Sequence, residues 1–73
     1  MNNLAEATRE KLMATNEQYR SLQKEHTLYA NELEKLTSKT YLNDQEQLEE
    51  VRLKKLKLRT KDQMEMLLHN ADR

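Results

Sequence analysis

The sequence predicts an all-α protein: a coiled-coil-like antiparallel two-helix hairpin preceded by a short or frayed N-terminal helix, expected to oligomerise. Two observations point there. From Leu12 onward, apolar or semi-apolar residues fall at Leu12, Tyr19, Leu22, His26, Tyr29, Leu33 and Leu36, with successive gaps of 7, 3, 4, 3, 4 and 3, the spacing of a heptad seam. That register then fails, because its continuation would place Thr40, Asn43, Gln47, Glu50, Lys54, Lys57 and Lys61 on the seam. All are polar, so one continuous rod is excluded.

Each element has its own local signals. The opening segment carries Asn3 with Glu6 as a cap, but only a sparse apolar set of Leu4, Ala7, Leu12 and Met13, which predicts a short helix over about 4–14. Thr15 or Asn16 offers a fresh N-cap, and Glu17 suits a first turn, so the second helix is expected over about 16–37. The stretch Thr37 to Asp44 holds weak helix formers and turn side chains. Asn43 with Glu46 reads as a capping box, and Asp44 and Glu46 favour the positive end of the helix dipole. The third helix follows over about 43–69, and the 73 residues form one domain.

On a helical wheel this last helix has two apolar stripes. Leu48, Val51, Lys55, Leu58 and Asp62 share one side with the 3 and 4 alternation of the first seam, and the expectation is that they zip against the second helix. Leu33 would then lie near Leu48, Tyr29 near Val51, Leu22 near Leu58 and Tyr19 near Asp62. Leu53, Leu56, Thr60, Met64 and Leu67 lie nearly opposite and are expected to form an open interaction face. Burying a Leu or Met is worth about 1.5–3 kcal/mol, so that face calls for a cover. A second copy of the chain is the expected occupant, with a helical protein partner as the alternative; the sparse N-terminal helix is poorly equipped for the task.

Composition narrows the chemistry. The chain has no Gly, Pro, Cys, Trp or Phe, which excludes phosphate-cradling glycine loops, thiolate nucleophiles, disulfides and zinc ribbons. Two thin helices offer no cleft in which an acid, a base and a nucleophile converge, so neither catalysis nor a small-molecule substrate is expected, and no cofactor. His26 and His69 lack metal-ligand spacing, so no metal is expected. Tyr19, His26, Lys55 and Asp62 are read as a polar seam, with Lys55 and Asp62 making charge-assisted hydrogen bonds across the hairpin or an interface.

The formal net charge is zero, from 13 basic and 13 acidic residues, so no global field recruits nucleic acid or anionic lipid. Locally, Arg52, Lys54, Lys55, Lys57, Arg59 and Lys61 place six cations in ten residues. They divide between helix sides and have no interleaved aromatic, so they are expected to solvate the helix flanks and pair across the hairpin. Nucleic-acid association through Arg52, Lys54, Lys57, Arg59 and Lys61 is the alternative from another class. A subunit that orders on a larger complex is a third reading. The longest apolar run is Met66-Leu67-Leu68, far short of a membrane span. The opening Met1-Asn2-Asn3-Leu4-Ala5-Glu6 has neither a basic nor an apolar leader region, so a cytoplasmic location is expected.

Residues 12–67 resemble the YdcH-like family of small bacterial helical proteins, a domain of unknown function. The likeness rests on Tyr19, Leu22, His26, Tyr29 and Leu33 at helical spacing, then on Val51-Arg52-Leu53-Lys54-Lys55, Lys57-Leu58, Lys61-Asp62 and Met64. The chain departs from the family pattern at Glu17, Ala30 and Thr60. The resemblance implies a helical hairpin, oligomeric and in a bacterial cytoplasm, in which Lys55, Lys57, Lys61 and Asp62 belong to a specified polar seam or partner surface. It implies no activity.

Overall fold

A computed structural model describes residues 3–71, with side chains from residue 6 onward. The described residues form three helices and no strand: α1, Asn3–Thr15; α2, Glu17–Thr37; and α3, Asp44–Ala71. At 1.5 Å rise per residue, α3 is about 42 Å long. It therefore sets the long dimension of a body measuring 45 × 22 × 16 Å. α2 packs along α3, and α1 rests on both.

The breaks between helices are written in short polar side chains. Asn16 takes an extended backbone (φ −113°, ψ 109°), and its Oδ1 accepts the Tyr19 N–H at 2.9 Å, capping α2. The last carbonyls of α1 are served from both sides of this break. Thr15 Oγ1 donates to the Lys11 carbonyl at 2.7 Å, and the Arg20 guanidinium donates back to the carbonyls of Met13 and Ala14 at 3.1 and 3.3 Å. A cation is favoured there, at the negative end of the α1 dipole. The Asn3 cap expected at the start of α1 lies outside the described side chains.

α2 stops without a glycine, and no described residue has a positive φ. Instead the Ser38 N–H bonds the Glu34 carbonyl at 3.0 Å, while the Thr37 and Ser38 hydroxyls donate to the Glu34 and Lys35 carbonyls at 3.3 and 2.9 Å. The orphan acceptors of a helix end are thus satisfied by side chains rather than by a left-handed residue. After residues 38–43, α3 opens on a reciprocal capping box. The Glu46 N–H bonds Asn43 Oδ1 at 2.7 Å, and the Asn43 N–H bonds Glu46 Oε1 at 3.1 Å. The other oxygen of Glu46 accepts from the Lys39 ammonium, tying the connection to the start of α3.

Leu12 from α1, Tyr19 from α2 and Leu68 from α3 form one buried cluster, with Met64 and Leu67 packed against it. Leu22, Leu33, Leu53 and Thr60 are buried along the α2–α3 contact. The hollows between helices show which ends meet. Tyr19 borders one with Met64 and Leu68, Tyr29 borders another with Leu56 and Thr60, and Leu36 lies with Asn43 and Leu48. The start of α2 thus lies toward the end of α3.

This arrangement reverses the expected roles of the two stripes on α3. Leu53, Leu56, Thr60, Met64 and Leu67 face inward, where Leu53 and Thr60 are each only 4% exposed. They are not an open face. Leu48, Val51, Lys55, Leu58 and Asp62, expected to zip against α2, are all exposed. Desolvation decides the contest: turning that stripe inward would carry Lys55 and Asp62 out of water, at a cost of several kcal/mol per ion before any pairing returns it. The stripe that won carries no charge. Its one polar member, Thr60, satisfies its own hydroxyl on the Leu56 carbonyl at 2.8 Å, so nothing on it need be buried unpaired.

Candidate interaction face

With the neutral stripe of α3 turned toward α2, the opposite side of the helix is left open. Leu48, Val51, Leu58 and Met66 are 71%, 49%, 60% and 65% exposed. At 3.6 residues per turn these four fall within an arc of about 80°, centred opposite the buried stripe. Lys55 and Asp62 sit on the same arc. This face was missed as the open one, although the signal was present: a stripe interrupted by two charges is a poorer core than an uninterrupted one.

The other expected site residues separate. Tyr19 is buried with Leu12 and Leu68, away from any pairing with Asp62. His26 is half-buried and borders a shallow hollow with Arg9, Gln23, Lys57 and Lys61. Lys55 and Asp62 are exposed, and neither has a hydrogen bond or ion pair among the described residues. The charge-assisted bonds expected from them across the hairpin are therefore absent, for the same reason that their stripe faces water.

The basic segment lies along largely exposed flanks of α3, as expected, but none of its cations pairs across to α2 among the described residues. Arg52 reaches back along its own helix to Glu49, with Nε to Oε2 at 3.1 Å and Nη2 to Oε1 at 2.5 Å. This hydrogen-bonded contact lowers the Glu49 pKa below the usual 4.5 and raises that of Arg52. Lys54 stands 3.9 Å from Glu50, one turn earlier. Lys57, Arg59 and Lys61, like Lys55, have no acid within ion-pair distance among the described residues. No described ion pair joins α2 to α3; Glu25 and Arg59 border the same hollow without closing one. Glu46, at the start of α3, is also held below the usual carboxylate pKa, first by the Lys39 ammonium and then by the Asn43 N–H.

No group of three or more His, Cys, Asp or Glu residues able to hold a metal occurs among the described residues. No described helix is long and apolar enough to cross a membrane. On α3 an apolar stripe, interrupted by Lys55 and Asp62, is bordered by Arg52 and Lys54, which pair with Glu49 and Glu50, and by Arg59 and Lys61, which have no acid partner among the described residues. No family model, curated protein or solved structure matches the chain.

Proposed function

We propose that this chain is a small non-catalytic interaction module, an antiparallel hairpin that docks a protein partner on the open face of α3. Kinship with the YdcH-like family is part of the same proposal and rests on the residues named above. The observation that carries the reading is the gathering of Leu48, Val51, Leu58 and Met66 on one face, each at least 49% exposed. Covering a Leu or Met is worth about 1.5–3 kcal/mol, which is a large gain against the few kcal/mol that hold so small a domain together.

A photo-crosslinking residue at position 58, with position 24 on α2 as control, tests the reading in living cells. The expected result is a discrete protein adduct from position 58 that position 24 does not form. Equal labelling from both positions, or none, overturns it. An adduct of twice the chain's mass would identify the partner as a second copy, the self-association that the sequence alone suggested.

A further inference from the structure

We infer that the open face of α3 takes an acidic amphipathic helix from another protein, one carrying an apolar stripe with Asp or Glu along its flanks. The inference rests on the docking role proposed for this face and adds the chemistry of its occupant. Along the central turns of α3, Arg52 and Arg59 stand on one edge of the stripe, Lys54 and Lys61 on the other, and Lys55 within it. Arg59, Lys61 and Lys55 have no acid partner among the described residues, and Lys54 has only a long one. Acids on this side are Asp44 and Glu65 toward its ends and Asp62, which like Lys55 sits within the stripe, between Leu58 and Met66.

That edge pattern weighs against the alternatives in turn. A second copy docked antiparallel brings each edge against itself, Arg on Arg and Lys on Lys; docked parallel, it brings the Arg edge against the Lys edge. Either orientation sets cation against cation at the rims of the central turns, where like charges one turn apart are destabilising, although an antiparallel copy would also bring Lys55 opposite Asp62. Duplex nucleic acid would neutralise the cations but would press Leu48, Val51, Leu58 and Met66 against phosphate, forfeiting their burial. A lipid surface would accept the leucines, yet it would insert Asp62 among apolar chains with no cation to pair it, whereas a helix can present a polar side chain at that point. An acidic helix with its own apolar stripe covers Leu48, Val51, Leu58 and Met66, sets opposite charge against the cations at the rims, and can set polar side chains against Lys55 and Asp62.

The test is fluorescence anisotropy of the whole chain with two synthetic helical peptides that share a leucine stripe and differ in flanking residues, all Glu in one and all Lys in the other. The Glu peptide is expected to bind at least about tenfold more tightly, with an affinity that falls as salt rises. Leu58→Ser should weaken it about tenfold, and the double change Arg59→Glu with Lys61→Glu should reverse the preference between peptides. Both substitutions are at exposed positions, and an unchanged far-UV circular dichroism spectrum verifies that the fold is intact. Equal binding of the two peptides overturns the inference, as does tighter binding to duplex DNA or to phosphatidylserine vesicles that Leu58→Ser leaves unaltered. A dimer that dissociates on Leu58→Ser also overturns the acidic partner. If position 58 still crosslinks to a protein while the Glu peptide fails, the docking role stands and only the acidic chemistry falls.

Discussion

Replacing Leu53 and Leu58 by alanine, one at a time, asks directly which side of α3 the fold depends on. Both are leucines in mid-helix, so the loss of side chain and the gain in helix propensity are the same for each. Three carbons at about 0.8 kcal/mol each give a transfer loss near 2.4 kcal/mol for full burial. Leu53, 4% exposed, forfeits nearly all of this and leaves a void besides, which brings the expected cost to about 2–4 kcal/mol. Leu58, 60% exposed, forfeits well under half and leaves no void, so its cost is below about 1 kcal/mol. A chain of this length has about 4–11 kcal/mol in total, so Leu53→Ala removes a large share of it. Urea unfolding followed by circular dichroism gives both values from the shift in midpoint at constant slope. Equal losses, or a greater loss at Leu58, would refute the assignment of the inward stripe.

Three further outcomes are expected. Asn43→Ala removes the side-chain oxygen that accepts the Glu46 N–H, while the Asn43 backbone N–H can still donate to Glu46 Oε1, and should cost about 0.5–2 kcal/mol in the same urea assay, whereas Asn43→Asp should cost far less. Acid should loosen the start of α3: the lowered folded-state pKa values of Glu46 and Glu49 contribute stability that is present above the unfolded value of 4.5 and lost as pH falls through the lower folded values. Circular dichroism across an acid titration checks this, and Glu46→Gln should flatten part of the curve. Thr60→Leu should destabilise the α2–α3 contact by about 1–3 kcal/mol through overpacking, since Thr60 is buried at 4% exposure; a stabilised variant in thermal unfolding would show a void there instead.

Chain breaks were the most legible part of the fold, because they depend on a few residues in sequence proximity. Asn43 and Glu46 announced a helix start by spacing alone, and Asn16 did so with a side chain able to accept a backbone N–H. The heptad seam likewise pointed to Tyr19, Leu22 and Leu33, all buried. The orientation of α3 was not legible from spacing, since both stripes repeat with the same period. What separates them is the cost of dehydrating Lys55 and Asp62, which the residue types on each stripe carry and their spacing does not. The contribution of α1 was hidden for a similar reason. A lone Leu12 has little area by count, but it fills the gap where Tyr19 and Leu68 converge.

That economy at α1 has a dynamic corollary. Its described core anchor is one leucine, and its last turn is held by a guanidinium belonging to its neighbour. Lifting the first helix therefore breaks few bonds yet bares Tyr19, Met64 and Leu68 together, so a short excursion uncovers a second greasy patch at the far end of the rod. Amide hydrogens of residues 6–15 should exchange with solvent well before those flanking Leu53.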